Sequence, residues 1–169
     1  MTPRHKALLA KVPPEALPLL RAARDADGTR TARAARFRAR FAKLGLRLEV
    51  GSGIEKAFII YGPDYVIKVG SGTDREAERS KSGKRRCLAL TALLDANIAV
   101  QERADTVLGD TGAFEQHCYR EACKQLPPSW RRQWKRIQQV CEQLGISDTH
   151  AWNIGVFADG RLKAIDFSF

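Results

Sequence analysis

Residues 148–168 have the sequence DTHAWNIGVFADGRLKAIDFS, in which a polar stretch is followed by two short apolar runs. The runs Ile154–Phe157 and Leu162–Ile165 are joined by Ala158–Arg161, whose central pair is Asp-Gly, a strong hairpin signal. Apolar residues at helical spacing predict a helix over Trp130–Leu144. Its apolar face would carry Trp134, Ile137, Val140, Cys141 and Leu144. We therefore predict a helix, a polar loop and a β-hairpin, in that order.

Three oxygen-bearing side chains flank this hairpin. Asp148 and Asn153 lie five residues apart before it, and Asp166 lies at the end of its far strand. Each residue alone is explained as a helix cap or a turn residue. Their joint spacing favours a site, because such oxygens bind hard divalent cations or substrate hydroxyl groups. We interpret Asn153 and Asp166 as a magnesium site, Asp148 as the residue that orients a nucleophile, and His150 as a structural residue packed beneath the loop.

From Leu46 the apolar pattern changes from helical to extended. It predicts strands over Leu46–Gly51, Ala57–Tyr61, Tyr65–Val69 and Ile98–Gln101, and a helix over Arg75–Ala96. Gly51-Ser52-Gly53 forms a glycine-containing turn that would let the backbone approach phosphates closely. Lys68, in an otherwise apolar strand, either extends its ammonium group to solvent or contacts an anion such as a nucleotide phosphate.

The first 45 residues are strongly basic. They contain eleven Lys and Arg against Glu15, Asp25 and Asp27, in a chain of net charge +10. We predict two short helices over residues 5–24 and a third over residues 31–44. The third carries its basic residues away from the apolar face: Arg33, Arg36, Arg38, Arg40 and Lys43. This pattern is typical of a docked amphipathic helix with a solvated basic face, and the alternative is a surface for nucleic acid or an acidic partner.

Composition argues against two classes of protein. No apolar run is long enough to span a membrane, and no signal-peptide pattern follows Met1, so we expect a cytoplasmic protein without a membrane partner. The four cysteines contain no C-x-x-C pair, which argues against a zinc site or a disulfide framework. We expect reduced, partly buried thiols.

The polar stretch Asp148-Thr149-His150-Ala151-Trp152-Asn153 resembles the catalytic loop of the protein-kinase-like superfamily in its phosphotransferase form, Asp-x-His-x-x-Asn. That superfamily includes protein kinases, aminoglycoside phosphotransferases and small phage-encoded kinase-like proteins. Asp166-Phe167-Ser168 is similar to its metal-binding Asp-Phe-Gly element, Gly51-Ser52-Gly53 to its glycine-rich loop, and Lys68 to its strand lysine. The resemblance covers about residues 46–168.

The resemblance implies a role for each of these positions, with ATP and Mg²⁺ as cofactors. Asp148 would accept or orient the acceptor hydroxyl, Asn153 and Asp166 would hold magnesium, and Lys68 would contact the nucleotide phosphates beside Gly51, Ser52 and Gly53. An acidic residue of the following helix, Glu76 or more favourably Glu78, would hold Lys68. Backbone groups of Glu102 to Ala104 would bind the base.

The implied architecture is a minimal protein-kinase-like fold of the α+β class. It would comprise a basic helical extension (1–45), a small antiparallel sheet lobe (46–104) and a truncated helical lobe (105–169) with the catalytic loop and hairpin. The sequence departs from the family pattern at Lys56, Ile146 and Ser168, where the loop glycine, the catalytic-loop histidine and the metal-element glycine are usual. It also stops at Phe169, before the acceptor-binding helices. The chain is then a fragment, or a minimal core whose N-terminal helices or a partner chain replace them.

Two functions follow from these features. The first is an ATP- and magnesium-dependent phosphotransferase that acts on a hydroxyl group of a protein Ser/Thr or a small molecule. The second is a catalytically inactive kinase-like protein whose residues 1–45 bind nucleic acid or an acidic protein. The shortened lobe should leave the apolar face of the Trp130–Leu144 helix exposed, which predicts coverage by the N-terminal helices or self-association into a homo-oligomer.

Overall fold

The computed structural model describes residues 1–51, 56–81, 87–116 and 119–167, which form two compact units. The first unit consists of Met1–Glu78 and Leu90–Glu102, and the second of Arg79–Ala89 and Arg103–Phe169. Within the described residues, seven α-helices, a five-stranded antiparallel sheet and a three-stranded antiparallel sheet confirm the predicted α+β class. None of the helices in these ranges is long and apolar enough to cross a membrane.

The first unit places three helices ahead of a five-stranded sheet. Its elements are α1 (Pro3–Leu9), α2 (Ala16–Asp25), α3 (Arg30–Ala42), β1 (Arg47–Val50), β2 (Lys56–Tyr61), β3 (Tyr65–Gly70), α4 (Thr73–Ser80), β4 (Thr91–Asp95) and β5 (Ile98–Glu102). The last two residues of α4 belong to the second unit. The strand order is β1-β2-β3-β5-β4. The structure confirms the three predicted N-terminal helices and the four predicted strands of this unit.

One face of this sheet forms the core of the first unit. Directly paired residues on neighbouring strands make a continuous apolar row across it: Leu48, Ile60, Ile67, Val100 and Ala92. Helices α1 to α3 cover the row, with Leu20 and Phe41 fully buried against it. Each such side chain contributes about 1.5–3 kcal/mol by leaving water. Residues 1–45 therefore share a core with the sheet, and the sheet's opposite face is left to α4.

The predicted helix over Arg75–Ala96 is confirmed as far as Ser80 and is wrong over Thr91–Asp95, and its residues 82–86 lie outside the described residues. Helix α4 ends at Ser80, and Thr91–Asp95 forms strand β4, which pairs with β5. The turn between β4 and β5 contains Asn97, whose φ of 57° lies in the left-handed region that asparagine tolerates. A short leucine-rich run suits a helix or a strand equally well, and here pairing with β5 selects the strand.

The second unit is built around the predicted hairpin. Its elements are β6 (Thr106–Val107), α5 (Gly112–Gln116), α6 (Tyr119–Gln125), α7 (Pro128–Gln143), β7 (Ile154–Val156) and β8 (Leu162–Ala164). The sheet order is β6-β7-β8, and Leu88 adds a parallel bridge to Ala164. The hairpin prediction is confirmed, and Gly160 takes the positive φ, 73°, that its turn requires.

The apolar face of α7 is not exposed, contrary to the sequence-based expectation. Trp134, Ile137, Val140 and Cys141 are all buried in the core of the second unit, together with residues of the hairpin. Phe167, just after the hairpin, is fully buried in the same core. The hairpin and its neighbours thus cover this face within the second unit. The structural reason for expecting a homo-oligomer through this helix is therefore removed.

Candidate functional site

The loop before the hairpin starts from a well-defined helix end. Gly145, with a φ of 68°, follows α7 and its N–H donates to the carbonyl of Glu142 at 3.0 Å. The N–H of the next residue, Ile146, donates to the carbonyl of Cys141 at 2.8 Å, which completes a Schellman motif. Ile146 is buried, so it anchors the chain two residues before Asp148.

Asn153 closes the loop by hydrogen bonds to its own start. Its side-chain Nδ2 donates to the carbonyl of Asp148 at 3.1 Å, and its N–H donates to the carbonyl of His150 at 3.0 Å. The indole of Trp134 in α7 donates to the carbonyl of Thr149 at 3.4 Å. Because the amide nitrogen is committed to the loop, the Oδ1 of Asn153 is the atom that would bind a cation.

The structure places His150 at the surface, beside the predicted catalytic carboxylate. Its side chain is 45% exposed, and its Nε2 lies 3.2 Å from Oδ1 of Asp148, whose side chain is 41% exposed. This contact becomes an ion pair when the imidazole is protonated. The interpretation of His150 as a residue packed beneath the loop is therefore wrong, because its side chain is 45% exposed.

Trp152 is a prominent loop residue that sequence reasoning did not single out. It is 49% exposed, and its ring lies so close to Gly109 that a Cβ there would meet ring atoms at 2.5 Å. Phe114 contacts the same ring edge-on, with centroids 6.2 Å apart. A glycine at position 109 is thus required for the observed position of Trp152. The sequence alone gives no signal for this contact between distant segments.

The hairpin register places Asp166 directly after Ile165, the residue whose backbone bonds to Asn153. Ile154 pairs with Ala164, and the N–H of Ile165 donates to the carbonyl of Asn153 at 2.9 Å. Asp166 is the next residue and is half-buried. Its position is fixed from the other side by Phe167, whose carbonyl accepts a hydrogen bond from the guanidinium of Arg79. Ser168, the third residue of the predicted metal-binding element, lies outside the described residues.

The oxygen ligands in this unit, Asp166 and Asn153, suit magnesium better than a metal ion that is coordinated only by protein side chains. Among the described residues, no group of three or more His, Cys, Asp or Glu side chains could hold a metal ion. Asp166 and Asn153 supply one carboxylate and one amide oxygen. Mg²⁺ is commonly bound by one or two such ligands, with substrate phosphates and water completing its octahedron. The residues therefore fit a magnesium ion that arrives with a nucleotide.

The cysteine thiols of the second unit have low reactivity. Burial, with a smaller contribution from Cys87, raises the pKa of Cys141 to about 11, so its thiol is neutral at physiological pH. Burial also raises the pKa of Cys123. Cys87, Cys123 and Cys141 are all free thiols, as the sequence predicted. Cysteine nucleophilic chemistry by these three is thus disfavoured.

The first unit contains the predicted lysine in an ion pair. Nζ of Lys68 donates to Oε2 of Glu76 at 2.8 Å, and the two side chains are 8% and 0% exposed. The preference for Glu78 as the partner was wrong, since Glu78 is exposed. Residues two apart on a helix point in directions about 200° apart. The inward position 76 and the outward position 78 therefore cannot exchange roles.

Lys56 is a second buried lysine on the same carboxylate, and sequence reasoning missed this role. Its Nζ lies 3.0 Å from Oε1 of Glu76, with a side chain that is only 7% exposed. The contact lacks the alignment of a directed hydrogen bond, so it is an electrostatic ion pair. In the sequence, Lys56 was noted only as the residue replacing a glycine.

Gly51 fits its predicted place, with a steric reason. A Cβ at this position would lie 2.2 Å from the carbonyl oxygen of Lys56, so only glycine permits the observed backbone approach. Its N–H donates to the carbonyl of Ala57 at 3.0 Å. The other two predicted phosphate-loop residues, Ser52 and Gly53, lie outside the described residues.

The predicted base-binding segment is partly engaged in other contacts. The N–H of Glu102 donates to the carbonyl of Leu90 at 2.9 Å, and its carboxylate accepts the N–H of Leu90 at 2.6 Å. The N–H of Glu102 is thus occupied, and the role of its other backbone group in base binding stays a prediction. Ala104 is half-buried, and its Cβ would lie 2.6 Å from a Cβ built on Gly155. Its role as a base contact stays a prediction.

The basic helix α3 keeps only part of its predicted solvated face. The guanidinium of Arg33 donates to the carbonyls of Ala23 and Arg24, each at 2.6 Å, and lies over the ring of Phe58. Arg33 therefore caps the C-terminal end of α2 and is not part of the solvated face. Four other cations of this segment are exposed: Arg36, Arg38, Arg40 and Lys43.

Comparison with known proteins gives no family. No protein-family model matches this chain, and no curated protein is significantly similar to it. The argument for a function therefore depends on the residues and contacts described above.

The buried carboxylate of Glu76 should be important for stability, unlike that of Glu78. We expect Glu76→Gln to lower the free energy of unfolding by about 3–5 kcal/mol, because two buried ammonium groups lose their shared carboxylate. The matched control Glu78→Gln, two residues along the same helix, should change it by less than about 0.5 kcal/mol. Urea denaturation followed by circular dichroism measures both. Equal effects of the two substitutions would contradict the pairing.

Proposed function

We propose that this chain is an ATP- and magnesium-dependent phosphotransferase that transfers the γ-phosphate to a hydroxyl acceptor, on a protein Ser/Thr or a small molecule. The observation that carries the proposal is the buried ion pair between Lys68 of β3 and Glu76 of α4. In protein kinases, a lysine of the third strand pairs with a glutamate of the following helix and contacts the nucleotide phosphates. The Lys68–Glu76 contact supports the proposal, because Glu76 is one of the two partners that the resemblance suggested for Lys68.

A buried ion pair is weak evidence for stability and better evidence for function. Removing two charges from water costs several kcal/mol per ion, and apolar residues of similar volume are often as stable or more so. Lys68 lies in the middle of a buried strand, where a valine or isoleucine would serve packing well. Its presence there is explained if the ammonium group is needed to bind an anion.

The polar loop of the second unit supports the other half of the proposed chemistry. The carboxylate of Asp148 is partly exposed and is able to accept the proton of an acceptor hydroxyl. Asn153 and Asp166 are the proposed magnesium ligands, and the hairpin register holds them in a fixed relation. Catalysis of phosphoryl transfer depends mainly on positioning and on stabilisation of charge. Two such residues in the loop and a third directly after the hairpin would supply groups of the required kind.

Substitution of Asp148 tests turnover directly. We expect Asp148→Asn to lower the rate of ADP release from Mg-ATP by about 100-fold or more, because the amide cannot accept the hydroxyl proton. The readout is ADP formation, with water or an added hydroxyl compound as acceptor. Affinity for the nucleotide should change by less than about threefold, because this carboxylate acts on the acceptor.

The matched control is Asp159→Asn in the hairpin turn of the same unit. Hydrogen bonds from Arg161 hold the pKa of the Asp159 carboxyl below its usual range, and the residue is exposed. This variant removes one carboxylate without touching the loop, so its rate should equal that of the wild type. If wild type and Asp148→Asn bind nucleotide and release ADP at the same rate, Asp148 has no catalytic role. Nucleotide binding without any ADP release by the wild type would favour the inactive alternative.

The exposed cations of α3 favour a second candidate function, the binding of a polyanion. Arg36, Arg38, Arg40 and Lys43 lie within eight residues, and α3 contains no acidic residue. Such a cluster attracts nucleic acid or an acidic protein surface with an affinity that falls as salt rises. This function is compatible with phosphotransfer, because a basic surface can bring an enzyme to an acidic substrate.

Charge reversal on α3 tests this second candidate. We expect the triple variant Arg36→Glu, Arg38→Glu and Lys43→Glu to abolish binding to a fluorescent 20-base DNA or RNA at low salt, measured by anisotropy. The matched control reverses three exposed cations of α7, at Arg131, Arg132 and Lys135, and gives the same change in net charge. Equal loss of affinity in both triple variants would show an effect of net charge alone, with no binding surface on α3.

A further inference from the structure

Lys56 reaches Glu76 because strand β2 contains a bulge. Lys56 pairs with Gly70, whereas Phe58 pairs with Val69, so two steps along β2 correspond to one step along β3. Side chains alternate between the faces of a sheet, and a bulge reverses that alternation. Without the bulge, Lys56 would share the apolar face of Phe58. With it, Lys56 lies on the face that carries Lys68.

The result is a carboxylate held between two ammonium groups from neighbouring strands. Oε1 of Glu76 lies 3.0 Å from Nζ of Lys56, and Oε2 lies 2.8 Å from Nζ of Lys68. The three side chains together carry two positive charges and one negative charge. Ammonium groups in a poorly hydrated place attract anions more strongly than they do in bulk water.

Exposure differs between the two kinds of group in this cluster. The Glu76 side chain is fully buried, whereas those of Lys56 and Lys68 are 7% and 8% exposed. The small solvent-accessible area of this cluster therefore belongs to the lysine side chains and not to the carboxylate. Glu76 fixes the direction of both side chains from behind, which reduces the entropy that each would lose on binding an anion.

The backbone of Lys56 is fixed as firmly as its side chain. Its carbonyl oxygen would lie only 2.2 Å from a Cβ on Gly51, and the N–H of Gly51 donates to the carbonyl of Ala57. The ammonium of Lys56 also lies 3.5 Å from the carbonyl oxygen of Ser71. These contacts hold the start of β2 in one position, so the bulge is a stable part of the sheet.

We propose that Lys56 is a second phosphate-binding lysine, and that Lys56 and Lys68 together bind the polyphosphate of the nucleotide from a shared anchor, Glu76. This inference rests on the proposed function and adds a residue to it. Two ammonium groups held on one carboxylate would contact adjacent phosphate groups. Affinity should then depend on the phosphate chain more than on the nucleoside.

The test compares single lysine variants with inorganic tripolyphosphate and with the ATP analogue AMP-PNP, by calorimetry. Lys56→Met and Lys68→Met should each weaken binding of both probes about tenfold, the loss of one charge-assisted hydrogen bond. Lys56→Arg should retain affinity, because it keeps the charge. The exposed Lys6→Met is the control for a loss of net charge, and it should bind as the wild type does.

A second measurement uses the wild-type protein and therefore does not depend on the folding of a variant. Acetylation of each lysine by acetic anhydride is followed by mass spectrometry, with and without saturating tripolyphosphate. We expect both Lys56 and Lys68 to react several-fold more slowly with the ligand bound, whereas Lys6 reacts at an unchanged rate.

The outcomes separate this inference from the proposed function. A wild-type protein that binds neither probe at millimolar concentration overturns both. Binding that is weakened by Lys68→Met and unchanged by Lys56→Met overturns the role of Lys56 alone, as does protection of Lys68 without protection of Lys56. Parallel weakening by both variants, with parallel protection of both lysines, supports the proposal.

Discussion

The carboxylate of Glu76 is fully buried, and a buried charge must be matched by charges of opposite sign. This one requirement explains much of the first unit. It needs Lys68 in the middle of β3, α4 on the face of the sheet opposite α1 to α3, and a bulge in β2 that brings Lys56 to the same face. The apolar faces of α1 to α3 cover the other face of the sheet. The sheet is thus apolar on one side and carries a charged cluster on the other.

The second unit obeys a different constraint, which is the register of its hairpin. The Schellman motif at Gly145 ends α7, and the side chain of Asn153 then closes the loop onto the carbonyl of Asp148. The bond between Ile165 and Asn153 sets the far strand so that Asp166 follows directly. The buried side chain of Phe167 holds the residues after β8 in place. Backbone pairing and two side chains, Asn153 and Phe167, therefore set the positions of the three oxygen-bearing residues along the chain.

Local signals predicted local structure well. The Asp-Gly pair of the hairpin, the apolar stripe of α7 and the strand patterns after Leu46 are visible within short windows, and the structure confirms them. The strand at Thr91–Asp95 was missed because its leucine-rich run also suits a helix, although the following Asp-Ala-Asn is turn chemistry that argued against one. The roles of Glu76 and Lys56 were not predicted, because they depend on which side of a helix or a strand faces inward. The bulge that turns Lys56 is set by pairing between strands, so no periodicity within β2 could reveal it.

We propose that this chain binds a nucleotide together with magnesium. The most direct measurement is calorimetric titration with AMP-PNP, with magnesium and with EDTA, on the wild type and on Asp166→Asn. We expect a submillimolar dissociation constant with magnesium, weakened about tenfold or more by EDTA or by the substitution, because the phosphates would share the metal with the protein. No binding at millimolar nucleotide, or the same affinity under all conditions, would contradict it.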